Sequence, residues 1–167
     1  MRPAYLLPMA AWITAAAGAL MAQTRLGPII ATPAAIRFTA TDPDQGAVAG
    51  TPATITWTAS GGSPFRTWSI SVWADRSTLN GCGTVPTSAI RVSCSSATVS
   101  GGLGNGVCAA PFSLSGTPQL VASGREGLFF TFSYTVNVNF SFTDSWRYIA
   151  SNGPSCSLTL TYSVNAP

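Results

Sequence analysis

The stretch FFTFSYTVNVNFSF at residues 129–142 decides the fold class of this 167-residue chain. Its even positions, from Phe130 to Phe142, are all aromatic or β-branched, whereas its odd positions from Thr131 to Ser141 hold only Thr, Ser and Asn. A period of two predicts a β-strand with one face in a core and the other in water. At about 3.3 Å per residue the run is roughly 45 Å long, so we expect a bend or bulge near residues 137–139.

The same alternation recurs along the chain and predicts an all-β protein. An antiparallel, immunoglobulin-like β-sandwich of about seven or eight strands accommodates this pattern, because Gly- and Pro-rich turns separate the runs. The alternative, an outer-membrane barrel, is disfavoured because only one run is rich enough in apolar residues for a lipid-facing surface. Besides 129–142, the predicted strands are 36–41, 53–60, 67–73, 89–94, 107–114, 119–123 and 156–164.

The N-terminal residues have the layout of an export signal. Residues 1–22 carry one charge, Arg2, before an apolar run that ends in small residues, as secretory signal peptides do. An uncleaved membrane anchor is the alternative, but Pro3 and Pro8 disfavour a long helix. We therefore expect a signal peptide at 1–22, an extended leader at 23–35 and a sandwich domain at 36–167. The mature protein is expected to be secreted, periplasmic or at the cell surface, without membrane association.

The cysteines predict covalent cross-links. Four are present, which is an even number, and an oxidising compartment makes two disulfides the expected state. Three pairings are open, of which we favour Cys82–Cys94 with Cys108–Cys156, since the first two flank a local excursion. A zinc site is disfavoured because the chain has neither a CxxC pair nor a histidine.

Composition argues against an enzyme. Without histidine or lysine there is no Ser-His-Asp, Cys-His, Ser-Lys or Schiff-base machinery, and no cofactor is expected. No pair of the five carboxylates is marked out for glycoside hydrolysis. Asp75 beside Arg76 and Glu126 beside Arg125 are expected in surface turns with local ion pairs. Eight arginines against five acids leave too small a net charge for a nucleic-acid partner.

One loop has the rhythm of a calcium site. Asp42 and Asp44 precede Gly46 with acidic-x-acidic-x-Gly spacing, which makes both aspartates candidate Ca²⁺ ligands. The loop lacks the further ligands of an EF-hand, so ordinary turn chemistry is the favoured interpretation.

Four residues are candidates for ligand binding. Trp73 falls on the polar phase of its strand, unlike the core candidates Trp57 and Trp68. A loop-like stretch contains the other three, Trp146, Arg147 and Tyr148. Exposed aromatic rings on a rigid β scaffold can stack on sugars, which makes a glycan a candidate partner. The alternative is that these side chains cover an end of the sandwich or a subunit interface.

Several segments resemble one family of proteins. They are Ile36-Arg37-Phe38, the Asp42-Pro43-Asp44 loop, the strand at 53–60, Gly61-Gly62, WSISV at 68–72 and LTLTY at 158–162. Together they are similar to the secreted bacterial β-sandwich family that includes spore coat protein U and the pilins of archaic chaperone-usher systems. The resemblance implies a structural subunit at the cell surface, completed by strand donation from a neighbour.

The sequence itself adds a hint of strand donation, because an unpaired edge of a long amphipathic strand invites another chain. Residues 23–32 are the candidate donor. The expected function is therefore an exported, non-enzymatic structural, pilin-like or adhesion module, with self-association or surface-protein partners. The alternative is a secreted carbohydrate-binding module that uses the exposed aromatic residues.

Overall fold

The computed structural model describes residues 24–39, 46–61, 65–100, 103–128, 131–148 and 156–166. These residues form thirteen β-strands and one 3₁₀ turn, Thr87–Ala89. The predicted signal peptide at 1–22 and residues 129 and 130 lie outside them. The strands are β1 (Arg25–Leu26), β2 (Ile30–Thr32), β3 (Ala47–Ala49), β4 (Ala53–Ser60), β5 (Thr67–Ala74), β6 (Thr78–Leu79), β7 (Cys82–Pro86), β8 (Ile90–Val99), β9 (Asn105–Cys108), β10 (Phe112–Ser113), β11 (Gln119–Arg125), β12 (Thr131–Thr143) and β13 (Leu160–Asn165).

The strands build two antiparallel sheets that pack face to face. The seven-stranded sheet has the order β1-β4-β12-β8-β10, with β2 also paired to β4 and β3 to β12. The four-stranded sheet has the order β13-β5-β11-β9, and β6 and β7 form a separate hairpin. The prediction of an all-β, antiparallel sandwich is confirmed. The strands outnumber the seven or eight expected because several have only two or three residues, too few to show an alternating pattern.

The core lies between the two sheets and is centred on aromatic side chains. Trp57 and Tyr134 from the seven-stranded sheet stack with ring centroids 4.7 Å apart. Trp68 from the four-stranded sheet meets both edge-on, at 5.7 Å and 5.4 Å. Trp57 and Trp68 are 3 % and 1 % exposed, which confirms their predicted place in the core.

The long strand β12 organises the seven-stranded sheet. Its described even-numbered residues, Phe132 to Phe142, are all buried, as the period of two predicts. The register with β8 shifts between Asn137 and Val138, so the expected irregularity near 137–139 is confirmed. On the outer face, Asn137 accepts a hydrogen bond from Thr54 and donates one to Ser96, which joins three strands.

Several predicted elements need correction. Residues 36–39 form no strand, although Ile36 and Phe38 still pack against the core. Residues 47–49, which lie outside the predicted strands, form β3, which pairs with the end of β12. The strand predicted at 107–114 is two strands, because the chain crosses from the four-stranded sheet to the seven-stranded one around Pro111, whose missing N–H interrupts pairing. Within the predicted extended leader at 23–35, two short segments pair as β1 and β2, which is compatible with an extended chain.

Both disulfides are present, but the favoured pairing was wrong. Cys94 bonds to Cys108 and Cys82 to Cys156, with Cα atoms 5.3 Å and 5.5 Å apart. Cys82 and Cys94 cannot meet, because β7 and β8 run extended between them and carry them apart. Cys94 instead faces the neighbouring strand β9, and the bond joins the two sheets. Cys82 reaches Cys156 because Asn80 and Ser157 form a β-bridge next to it.

Candidate ligand-binding surfaces

Trp73 lies on the outer face of the four-stranded sheet. It is directly opposite Thr161 of β13, and its β5 neighbours Trp68, Ile70 and Val72 point the other way, into the core. The indole is half-buried. Trp73 therefore has the position predicted from its phase.

The loop after β12 carries the other three candidates. Trp146 is 74 % exposed and Arg147 is also exposed. Tyr148 is half-buried and packs on Phe142, with ring centroids 6.3 Å apart. The loop is closed by a turn in which the Tyr148 N–H donates to the Ser145 carbonyl at 2.9 Å.

The structure does not gather these four residues into one site. Trp73 faces outward from the four-stranded sheet, whereas Tyr148 packs against a ring of the inner face of the seven-stranded sheet. Tyr148 therefore covers an end of the core, which was the alternative interpretation for these aromatic residues. Trp146 and Arg147 are exposed at the surface of the loop.

A shallow groove of about 470 Å³ crosses the outer face of the four-stranded sheet. Cross-strand partners share a face of a sheet, so the register identifies its side chains. Ser69 of β5 is flanked by Asn165 on one side and Ser123 on the other, and Val107 of β9 follows Ser123. The next row contains Thr67, Arg125 and Asn105. Sequence reasoning missed this surface.

Asn105 is held in place at the end of the groove. Its side-chain Oδ1 accepts the Arg125 N–H at 3.0 Å, and its carbonyl accepts the Trp68 indole N–H at 3.2 Å. This packing requires a glycine at 124, because an added Cβ would collide with the Asn105 carbonyl and lie 2.8 Å from Trp68 Nε1. The groove is therefore rigidly attached to the core beneath it.

Glu126 was expected in a surface turn with Arg125, and this prediction was wrong. Its side chain is 0 % exposed, and the Tyr134 hydroxyl donates to its Oε1 at 2.5 Å. Burial, and secondarily the Glu126 carboxylate, raise the pKa of Tyr134 far above its usual range. Among the described side chains, Glu126 Oε2 and Trp57 Nε1 are buried without a hydrogen-bond partner. No external substrate can reach this carboxylate.

Asp75 behaves as expected for a local ion pair. Its carboxylate lies 3.0 Å from the Arg76 guanidinium and accepts the Thr159 N–H at 3.0 Å. The hydrogen bond from Arg76, followed by the one from Thr159, lowers the Asp75 pKa. The contacts tie the end of β5 to the segment before β13, which is a structural role.

Tyr162, which is half-buried, predicts a loss of stability in alkali. Burial raises the pKa of Tyr162 to about 12, against about 10 in an unfolded chain. The folded state thus holds the phenolic proton more tightly, and its contribution is complete below pH 10 and lost as the pH rises to 12. By pH 12 we expect this effect of Tyr162 alone to lower the free energy of unfolding by about 2 kcal/mol.

Urea unfolding at pH 8, 10, 11 and 12 measures this effect. The free energy of unfolding should be level up to pH 10 and then fall, and the Tyr162→Phe variant should fall less steeply. A parent protein whose stability is unchanged to pH 12, or a variant that declines in parallel with it, would contradict the assignment.

The described residues contain no group of three or more His, Cys, Asp or Glu side chains able to hold a metal ion. The candidate calcium ligands Asp42 and Asp44 lie outside those residues. Nor does any helix among the residues in the structure have the length and hydrophobicity needed to cross a lipid bilayer.

Comparison with known proteins gives no match: no family model, no curated protein and no solved structure is detectably similar to the chain. The resemblance to spore coat protein U and archaic pilins therefore stays a prediction based on strand patterns.

Proposed function

We propose that this protein is an exported, non-enzymatic structural module that assembles at the cell surface by exchanging its N-terminal strands between copies. The observation that carries the proposal is the attachment of residues 24–32 to the edge of the seven-stranded sheet. The two disulfides support export, because such bonds persist in oxidising compartments.

The N-terminal segment pairs with β4 through two short ladders. β1 contributes two residue pairs and β2 three, and Pro28 interrupts the strand between them. Between the ladders, the Gly27 N–H donates to the Thr58 carbonyl at 2.8 Å. Each of these main-chain hydrogen bonds can also form with β4 of a second copy, so exchange of the strands between copies loses no hydrogen bond.

The segment also exposes apolar side chains that assembly can bury. Leu26, Ile29 and Ile30 are 47 %, 39 % and 54 % exposed. Three large apolar residues this close together are typical of an interaction surface. If assembly also buries this cluster in the new contact between copies, the burial supplies a driving force that the monomer lacks.

A second exposed edge supports assembly through strands. Within the described residues β13 pairs only with β5, so one of its edges is open. Its sequence, LTYSVN, has none of the charges or prolines that usually protect edge strands from pairing with another chain.

Deletion of residues 23–32 tests the proposal. The mature protein should form oligomers whose mass in sedimentation velocity grows with concentration, and the deletion variant should remain smaller at every concentration. As a matched control, Leu103→Ser alters an apolar residue that is 74 % exposed but distant from the segment in sequence. This control should assemble like the parent.

A cysteine pair provides a test that leaves the segment in place. Ile30 and Thr56 are directly opposed, so Ile30→Cys with Thr56→Cys can form a bond within one chain or between two. Oxidation after concentration should give cross-linked multimers on a non-reducing gel. Bonds formed only within chains at every concentration, together with a constant monomer mass, would refute strand exchange.

A second candidate function is glycan binding, which the 74 % exposure of Trp146 favours. An indole held out from a β scaffold offers a flat apolar surface to a sugar ring. Arg147 beside it supplies hydrogen-bond donors.

A further inference from the structure

The groove on the outer face of the four-stranded sheet has the side chains of a saccharide site. Ser69, Ser123 and Thr67 carry hydroxyls, which both donate and accept hydrogen bonds. Asn105 and Asn165 add carboxamides at two corners. A ligand rich in hydroxyls matches such a surface, because each ligand hydroxyl can both donate a hydrogen bond to the lining and accept one from it.

Asn105 is preorganised for this role. Its Oδ1 is occupied by the Arg125 N–H, and its carbonyl is occupied by the Trp68 indole. The Nδ2 donors take no part in these two bonds. A side chain that is held before a ligand arrives loses little conformational entropy when the ligand binds.

The charge of the groove is positive. Arg125 lines it, and no carboxylate of the described residues forms an ion pair with this guanidinium. Asp75 pairs with Arg76, and Glu126 points into the core. A guanidinium without an acidic neighbour favours a carboxylate ligand, which it can bind with two parallel hydrogen bonds.

Apolar side chains complete the surface. Val107 is 62 % exposed and Leu120 is 45 % exposed, both on the lining of the groove. The C–H face of a sugar ring can pack on such residues while its hydroxyls reach the polar ones. Trp73 lies on the same face, six residues along β5 from Thr67, or about 20 Å. That length fits an oligosaccharide better than a single sugar.

We propose that this groove binds acidic oligosaccharides, with a uronate carboxylate on Arg125 and the sugar rings along β5 and β11. The hydroxyl groups of the lining favour a saccharide, and the Arg125 guanidinium, which no carboxylate of the described residues pairs with, favours one that carries carboxylates. The inference does not depend on strand exchange, because the groove lies on the other sheet from β1 and β2.

Titration with a tetramer of galacturonic acid, followed by calorimetry and by backbone NMR, tests the proposal. The tetramer should bind saturably and shift the signals of β5, β9 and β11, whereas a neutral galactose tetramer should bind at least about tenfold more weakly. Arg125→Gln should lose about tenfold in affinity for the acidic tetramer, because it removes one charged hydrogen-bonding group. Ser123→Trp, which fills the groove, should abolish binding.

Arg91→Gln is the matched control, since Arg91 is an exposed strand arginine on the outer face of the other sheet. It should bind like the parent. Both glutamine variants should keep the parent's near-ultraviolet circular dichroism, and Ser123→Trp, which adds an indole, should keep the parent's far-ultraviolet spectrum. No saturable binding, equal binding of the neutral tetramer, or equal losses of affinity in the Arg91 and Arg125 variants would overturn the proposal.

Loss of binding in Trp146→Ala but not in Arg125→Gln would place a glycan at the loop instead. Arg125→Gln should still assemble like the parent, so failure here leaves strand exchange intact.

Discussion

Replacing Cys82 and Cys156 together with alanine should lower the free energy of unfolding by about 4 kcal/mol, because the bond closes a long loop in the unfolded chain. The two cysteines are 74 residues apart. Replacing Cys94 and Cys108, which are 14 residues apart, should cost about 3 kcal/mol. Urea unfolding of the two double variants, followed by tryptophan fluorescence, measures both losses. A larger loss for the shorter loop would contradict the loop-entropy explanation.

Tryptic digestion without reduction checks the pairing itself. Cleavage after Arg76, Arg91, Arg125 and Arg147 leaves Cys94 and Cys108 in one peptide, 92–125. The observed bonds predict this peptide alone with an internal bridge, and peptides 77–91 and 148–167 joined to each other. The pairing expected from the sequence would instead join all three peptides. Recovery of that three-peptide species would refute the bonds in the structure.

Trp68→Ala should lower the free energy of unfolding by about 3–5 kcal/mol, the usual cost of removing a large buried aromatic side chain. Trp68 is 1 % exposed, touches Trp57 and Tyr134 edge-on, and donates to the Asn105 carbonyl. Its removal leaves a cavity between the sheets and an unpaired carbonyl. Urea unfolding followed by far-ultraviolet circular dichroism gives the loss.

Trp146→Ala is the matched control for this change. The same substitution at a residue that is 74 % exposed should cost less than about 1 kcal/mol. If Trp68→Ala does not fold, Trp68→Phe keeps an aromatic ring in the site and should show a smaller but measurable loss. Equal stability losses at Trp68 and Trp146 would contradict the assignment of Trp68 to the core.

The two proposals give the two sheets different functions. The seven-stranded sheet carries the N-terminal segment on its β4 edge, where copies can join. The four-stranded sheet presents the groove on its outer face, where a saccharide can bind. An assembly joined through the first sheet can leave the grooves of the second accessible, so binding and assembly are separable by mutation.

The residues of β11 that line the groove were hard to predict, because a β-bulge changes which residues of this strand face outward. Leu120 and Ser123 both lie opposite outward-facing residues of β5, although they are three positions apart. The register shift between Leu120 and Ala122 breaks the period of two, so alternation cannot assign the outer face. Glu126, in contrast, shares the parity of the inward-facing Ala122 and Gly124, a signal that could have revealed its burial.

Alternation determined the all-β class and the core residues of β4, β5 and β12, and the length of the alternating run predicted the irregularity near Asn137. These features depend on neighbours one or two positions away, which the sequence displays directly. Cysteine pairing, the attachment of the N-terminal segment to β4 and the burial of Glu126 were decided by the tertiary structure. Each depends on which distant strands become neighbours, and strands with similar alternating patterns do not encode their partners in those patterns.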